Sequence, residues 1–410
     1  MARSRPKFPQ RKRADAQRRS SPGKTAPGTV QKSGKERAAA PRSKPVPTAE
    51  QPRRSIPKAT STKADSATTD AKKAQQRDDL LRRVQRSGAR LPETVGLIFE
   101  TPADENYALI DTGDGEKLER YGPLVIRRPE GQAVWQPTLS KEHWDKADAI
   151  FTGDTDEEGQ GRWRYPKRAA VSASKADAML PETWRLAFDG LPYFGRFTSF
   201  RHTGVFPEQA THWRNLRRSI EKAQRASGPV RVLNLFGYTG LASLVAAAAG
   251  ADVTHVDASK KAIGWARENQ TLAGLDDKPI RWICEDAMRF CAREVRRGNS
   301  YDIILLDPPA FGRGAKGEVW QLFTHLPYLL DLIRALQSPQ PIETVLTAYA
   351  IRASHLALHE LMQEAFCGLE GRLESGELVL RQEAGGRLLS TSMFSRFIGP
   401  GAQTEEHPRS

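Results

Sequence analysis

The run Val232-Leu-Asn-Leu-Phe-Gly-Tyr-Thr-Gly240, followed by Val253-Thr-His-Val-Asp257, decides the fold of this chain. An apolar stretch enters a glycine-bearing turn. The small residues from Leu241 to Ala249 read as a helix, and a second apolar stretch ends in an acid 17 residues beyond Gly240. This is the order of a nucleotide-binding β-α-β unit. Glycine lets the backbone approach a ligand, and a carboxylate at the tip of the second strand can accept from both ribose hydroxyls. The turn reads F-G-Y-T-G and lacks the three-glycine dinucleotide pattern, and the chain has no GxxxxGK[ST] phosphate loop. What remains fits a ligand that carries a nucleoside and no phosphates.

The alternation continues downstream. Strands are expected at Val230–Phe236, Val253–Asp257, Ile280–Cys284 and Tyr301–Asp307, with helices ending at Ala249 and covering Lys260–Ala273 and Ala287–Arg297. Helix Phe323–Leu336, strand Thr344–Ala348 and helix Ser354–Cys367 extend the pattern. Such alternation argues for an α/β fold whose parallel sheet is covered on both faces. The end differs: Glu377–Arg381 and Leu388–Phe397 flank Glu383-Ala-Gly-Gly386 and read as an antiparallel hairpin.

Four further segments narrow the chemistry: Asp257-Ala-Ser-Lys260, Cys284-Glu-Asp286-Ala287, Asp307-Pro-Pro-Ala-Phe311 and Thr203-Gly-Val-Phe-Pro-Glu-Gln209. With the glycine turn they resemble the class I S-adenosylmethionine-dependent methyltransferases. Within that class the similarity is to bacterial enzymes that methylate large-subunit ribosomal RNA to 5-methylcytosine or 7-methylguanine. The resemblance covers about residues 185–400. It implies a Rossmann-like methyltransferase sheet with a C-terminal antiparallel hairpin, S-adenosylmethionine as cofactor, and RNA, ribosomal in particular, as partner. It further implies that Phe206, Gln209, Asn234, Phe236, Gly237, Tyr238, Thr239, Gly240, Asp257, Ala258, Ser259, Asp286, Ala287 and Asp307 bind the cofactor. Asp307, Pro308, Pro309 and Phe311 would form the catalytic segment.

The residues themselves admit two readings at each point. Asp257 either holds the ribose or caps the helix that follows, a role Ser259 fills as well. Asp286 resembles the acid that accepts from the adenine amino group, or it caps the helix from Ala287. Asn234 stands where this turn often carries Asp, and the ribosomal RNA branch often carries Asn there. Pro308 and Pro309 fix φ and remove amide donors, which forces the chain off the strand into a rigid rim or simply ends a buried strand. Methyl transfer from a sulfonium is an in-line displacement, so the protein must mainly align the acceptor. On the functional reading Asp307 points into the crevice and Phe311 stacks on an extruded base.

Methylation at cytosine C5 needs a Cys nucleophile. In the 5-methylcytosine members that Cys follows the fifth strand. The matching position here, within Leu346-Thr-Ala-Tyr-Ala-Ile-Arg352, is Ala350, and Cys284 and Cys291 fall elsewhere. Direct transfer to a base nitrogen such as guanine N7 is therefore expected. The alternatives are the same chemistry on a protein or small molecule, and a non-catalytic RNA-binding assembly factor. The intact Asp257, Asp286 and Asp307-Pro-Pro set argues against the last.

Charge is distributed unevenly. Residues 1–78 hold 21 Lys and Arg against 6 Asp and Glu, whereas the rest of the chain holds 42 against 43, so the overall +14 describes the tail. That tail has Phe8 as its only aromatic residue and cannot bury enough apolar surface to order itself. It reads as a disordered arm, either attracted to RNA phosphates or merely solubilising. Residues 91–200 read as a β-rich accessory domain, with Asp189-Gly190 as a hairpin turn, and 201–400 as the methyltransferase domain. A short helix is expected over Asp78–Arg86. Trp135, Trp144, Trp163 and Trp184 beside Arg162, Arg164 and Arg168 either stack on bases or form a core. The acidic loop Asp154–Glu158 argues against phosphate at that edge. No run approaches the roughly 18 apolar residues of a membrane span. The three cysteines have no metal-ligand or paired spacing, which suits a reducing cytoplasm and suggests no metal site.

Overall fold

Among the described residues of the computed structural model, which are 83–153, 161–166, 183–223, 228–314, 317–349 and 353–402, the first regular element is β1 (Glu93–Thr101). The described residues fall in one compact unit. The tail 1–78, the acidic loop Asp154–Glu158, Arg168 and Ala350 lie outside the described residues. The described part of the helix expected over Asp78–Arg86 is not helical. Its backbone is drawn elsewhere: the Val84 amide donates to Asp331 Oδ2 at 3.1 Å, and Arg86 pairs with the same carboxylate.

A five-stranded sheet follows, in the order β2 (Tyr107–Gly113), β3 (Glu116–Tyr121), β4 (Leu124–Pro129), β5 (Ala149–Gly153) and β6 (Gly161–Arg164), with the one-turn α1 (Lys141–Trp144) before β5. Next comes the hairpin of β7 (Thr183–Phe188) and β8 (Leu191–Arg196). Its turn residues Asp189 and Gly190 take φ of 45° and 83°, both left-handed, as a two-residue turn between twisted strands requires. Trp144 and Trp184 are buried, and Trp135 and Trp163 pack against the core, so the tryptophans build this region's interior.

The remaining elements run in chain order. A 3-10 turn at Pro207–Gln209 leads into α2 (Ala210–Lys222), β9 (Arg231–Leu235), α3 (Leu241–Ala248), β10 (Asp252–Asp257), α4 (Lys260–Leu272), β11 (Ile280–Cys284) and α5 (Ala287–Arg296). Then come β12 (Ile303–Leu306), the small pair β13 (Phe311–Arg313) and β14 (Val319–Gln321), α6 (Leu322–Ala335), β15 (Glu343–Tyr349), α7 (His355–Phe366), β16 (Arg372–Arg381) and β17 (Leu388–Ile398).

The large sheet has eight strands in the order β1-β16-β17-β15-β12-β9-β10-β11. Strands β11, β10, β9, β12 and β15 are mutually parallel, and β17 runs antiparallel to both β15 and β16. This is the expected methyltransferase sheet with its closing hairpin. Val232, Leu233 and Leu235 of β9 are fully buried, consistent with a central strand covered on both faces. From β9 the chain winds outward through β10 and β11, then returns to lay β12 on the other side. The crevice beyond the carboxyl ends of β9 and β12 is therefore the topological switch point, where open α/β sheets bind ligands.

One strand departs from the domain division read in the sequence. β1 lies within 91–200 but pairs in parallel with β16, from Glu93↔Leu373 to Thr101↔Leu380. Without it, β16 would present a bare edge of unpaired amides and carbonyls. The small sheets are also not detached: Tyr107, Tyr121, Trp184 and Phe188 share a core with Leu241 and Val245 of α3. The β16–β17 tip docks on β2, with the Glu383 amide donating to the Leu109 carbonyl at 2.8 Å and the Ala384 amide to that of Ile110 at 3.0 Å.

Candidate active site

The glycine turn between β9 and α3 is strained where it meets the crevice. Phe236 and Tyr238 take φ of 56° and 50°, a left-handed conformation that costs a bulky residue about 1–3 kcal/mol. The surrounding bonds hold it there. Asp257 Oδ2 accepts from the Tyr238 amide at 2.9 Å, and the Gly237 amide donates to the Val256 carbonyl at 3.2 Å. Gly237 must be glycine because a Cβ there would lie 2.4 Å from the His255 ring. That ring is fixed from below: Asn234 Nδ2 donates to Ser243 Oγ at 2.9 Å, and Ser243 Oγ meets His255 Nδ1 at 2.9 Å. Burial pushes His255 down to about 3, so it stays neutral. Asn234 is thus tied into the support beneath the turn while also lining the cavity above it.

Asp257 uses both oxygens toward the protein, Oδ1 accepting from the Ser259 amide at 2.7 Å. Each carboxylate oxygen keeps further lone-pair capacity. Burial pushes this carboxyl above the usual Asp range, against the opposing pull of the Ser259 and Tyr238 amides. Ser259 takes the capping role, its hydroxyl accepting from the Ala262 amide at 3.2 Å at the start of α4. Asp257 is therefore free of that duty. Ala258 lies beside it, its carbonyl accepting from the Cys284 thiol at 3.7 Å. Asp286 does cap its helix, accepting from the Arg289 amide at 3.0 Å, and Ala287 is buried in the main core. Burial raises the Asp286 carboxyl as well.

The segment Thr203–Gln209 closes over the turn. Thr239 Oγ1 donates to the Gly204 carbonyl at 2.6 Å, and the Asn269 amide donates to the Thr239 carbonyl at 3.0 Å. Gly240, with φ of 85°, starts α3 beneath Ala266 and Trp282. Gly204 has φ of 101°, and a Cβ there would fall 2.3 Å from the Trp265 ring. Gly204→Ala is accordingly expected to destabilise the protein by about 2–5 kcal/mol, from backbone strain plus overpacking. Urea unfolding measures this; an unchanged midpoint would mean the segment is not clamped against α4.

At the end of β12 the chain turns at Asp307, Pro308 and Pro309. Gln209 Nε2 donates to Asp307 Oδ2 at 3.2 Å and to the Tyr349 hydroxyl at 2.6 Å. The rim is pinned from outside, with Trp320 Nε1 donating to the Pro309 carbonyl at 2.7 Å and the Leu322 amide to that of Ala310 at 3.0 Å. Trp320 also meets Phe236 at 4.9 Å between ring centroids, which couples the rim to the glycine turn. Phe311 is 37% exposed at the start of the β13–β14 hairpin, with the Arg313 guanidinium 5.9 Å from its ring.

These parts enclose a cavity of about 70 Å³ lined by Phe206, Gln209, Asn234, Phe236–Thr239 and Asp307, among others. Ligand pockets are usually several hundred Å³, so this cavity alone is too small for a whole cofactor. Asp257, Ala258, Ser259, Asp286 and Ala287 lie outside its lining, along the ends of β10 and β11, and Gly240, Pro308, Pro309 and Phe311 also stand outside it. The residues fit a phosphate-free nucleoside ligand: a glycine cradle that tolerates no Cβ and a carboxylate at the second strand's tip. Tyr349, Asn269, Trp265, Ser243, His255 and Trp320 also build the site and were not picked out from the sequence. Only Trp265 and Asn269, spaced one helical turn apart on α4, carried a local signal.

Fold and site together define a cofactor-dependent methyl-transfer enzyme. Residues 158–337 match the family described as S-adenosylmethionine-dependent methyltransferase. A solved S-adenosylmethionine-dependent methyltransferase from Agrobacterium tumefaciens is 56% identical, with a TM-score of 0.72, covering 78% of this chain and 98% of that one. Ribosomal RNA large subunit methyltransferase K of Neisseria meningitidis is 26% identical over 205 residues, 50% of this chain and 54% of its own length. The K/L enzyme of Shewanella baltica is 40% identical over 123 residues, 30% of this chain and 16% of its own. This chain thus spans about half or less of those two relatives. The chain belongs to the S-adenosylmethionine-dependent methyltransferases.

Proposed function

We propose that this methyltransferase acts in the cytoplasm on a base of large-subunit ribosomal RNA, by direct transfer to a ring nitrogen and without a Cys nucleophile. The carrying observation is the cavity at the ends of β9, β12 and β15, whose lining holds Asp307 and Gln209 and, among the described residues, no cysteine. Cys291 and Cys367 are buried, and Cys284 is exposed at the end of β11, bonded to the Ala258 carbonyl. The two curated relatives are named as ribosomal RNA methyltransferases, and the basic tail suits a polyanionic partner.

Bound S-adenosylmethionine would supply an electrophilic methyl group. Asp257 would accept from the ribose hydroxyls, Asp286 would sit toward the adenine, and the turn Phe236–Gly240 would cradle the remainder. Asp307 and the Pro308-Pro309 rim would fix the acceptor for in-line attack, with Phe311 offering a face for an extruded base. A nitrogen lone pair attacks without prior covalent activation.

The test uses ribosomal RNA from cells lacking the gene, with methyl-labelled cofactor and nucleoside mass spectrometry. Label is expected on a methylated purine. RNA containing 5-azacytidine is expected to form no denaturant-resistant adduct, and Cys284→Ser is expected to keep kcat within about twofold. An azacytidine adduct lost on mutating one cysteine would restore cytosine C5 as the target. Labelled protein with unlabelled RNA would move the acceptor out of RNA altogether.

A further inference from the structure

Tyr349 stands at the end of β15, one residue beyond the strand expected at Thr344–Ala348. Its ring is 7% exposed and packs against Phe206 with centroids 5.0 Å apart. Its hydroxyl lies 2.6 Å from Gln209 Nε2, the same nitrogen that donates to Asp307 Oδ2 at 3.2 Å. We infer that Tyr349 is a positioning residue for methyl transfer, acting through Gln209 to fix the carboxylate of Asp307.

The argument rests on the inventory of one amide. A Gln side chain has two N–H hydrogens on a planar nitrogen. Asp307 settles which end of that amide faces it, because a carboxylate accepts and would repel the amide oxygen. With one hydrogen directed at Asp307, the second is left for the Tyr349 oxygen, which accepts from the same nitrogen. Two acceptors on one planar nitrogen fix the plane of the amide as well as its position. With Asp307 as the only acceptor, the last torsion of Gln209, which is broad and roughly two-fold, would be loosely held.

The placement of the three residues adds weight. Gln209 comes from the 3-10 turn before α2, Asp307 follows β12, and Tyr349 ends β15. One side chain therefore joins three parts of the chain at the point where the acceptor must be aligned. Gln209 and Tyr349 are both buried, so water competes little for these bonds. A displacement of about 1 Å at a reacting centre can cost roughly a hundredfold in rate. Partial loosening of Asp307 is expected to cost about tenfold.

Tyr349→Phe removes only the oxygen and keeps the ring against Phe206. It is expected to lower kcat about tenfold on ribosomal RNA from cells lacking the gene, with the Kd for S-adenosylmethionine by calorimetry within about twofold. The decisive measurement is the cycle with Gln209→Ala. If Tyr349 acts through Gln209, Tyr349→Phe has no further effect on kcat in the Gln209→Ala background. A full tenfold loss in that background, or wild-type kcat in Tyr349→Phe alone, overturns the inference. A second readout needs no acceptor. In protein labelled with 15N-glutamine, the Gln209 side-chain pair, assigned by its loss in Gln209→Ala, is expected to show one hydrogen moving upfield in Tyr349→Phe and the other broadening. An unchanged pair would also overturn the inference. If the wild type transfers no methyl group to RNA, the RNA reading fails, and the amide pair still decides the role of Tyr349.

Discussion

Asp307→Ala is expected to lower kcat by about a thousandfold while the Kd for S-adenosylmethionine changes by no more than about threefold. The split follows from where the carboxylate sits. It is half-buried in the lining of the cavity, bonded to Gln209 and backed by two prolines that cannot shift to fill the gap. Removing one preorganised group at a reacting centre typically costs a factor of about 10²–10³, and Gln209 here loses its reason to point inward as well. The residues that would hold the cofactor's nucleoside, Asp257 and the glycine turn, follow other strands, β10 and β9. Asp307→Asn keeps the shape but faces one amide with another. It is expected to retain more activity than Ala, since an amide can turn its oxygen toward Gln209. Single-turnover rates and calorimetry separate the two effects. An Asp307→Ala protein that keeps more than a tenth of wild-type kcat would remove this carboxylate from the chemistry.

Asp257→Ala is expected to weaken S-adenosylmethionine binding by at least about a hundredfold. Loss of two charge-assisted hydrogen bonds to the ribose accounts for on the order of 3 kcal/mol. The structure adds a second contribution, because the same carboxylate holds the amides of Tyr238 and Ser259. Without it the left-handed Tyr238 loses a restraint, and the cradle relaxes. The affinity should also depend on pH in a stated direction. Burial raises the Asp257 carboxyl above the ordinary Asp range, so it takes up its proton at a higher pH than a free Asp. The protonated form offers one fewer acceptor, so affinity falls as pH drops through that raised value and is complete above it. Asp257→Asn should flatten this dependence. Calorimetry across the acid range measures both effects; an affinity for Asp257→Ala equal to wild type would leave Asp257 with only its turn-bracing role.

Much of the fold was legible because the signals are local. The strand at Ile280–Cys284 and the helices near Lys260 and Ala287 follow from hydrophobic period and capping residues, and Asp189-Gly190 specifies its turn by the left-handed conformations it tolerates. The places of Asp257 and Asp307 at strand ends were legible for the same reason: each ends an apolar run. Asp286 shows the limit of such reasoning, since the residue type that suits an adenine amino group also suits a helix cap, and here it is seen capping. What stayed hidden depends on partners far apart in sequence. Nothing around Gly204 announces that Thr239 will bond its carbonyl or that Trp265 will leave no room for a Cβ. Tyr349 reads as a residue of a buried strand until Gln209 is brought beside it. The three-residue strands β13 and β14 are too short to carry a period.

β1 reaches the large sheet as the neighbour of β16, pairing Glu93 with Leu373. During synthesis β1 therefore leaves the ribosome well before β16, its strand partner among the described residues, exists. At roughly 5–20 residues per second, it waits on the order of tens of seconds. Its outward residues Val95 and Ile98 are apolar and exposed even in the finished sheet, so the nascent chain carries a sticky, unpaired strand throughout that interval. The small sheets are spliced between β1 and the other strands of the large one, so a chain cut at residue 200 would lack an edge strand rather than a separable module. Expression of the two halves apart should yield aggregation, whereas co-expression with β1 restored to the C-terminal half should yield soluble protein.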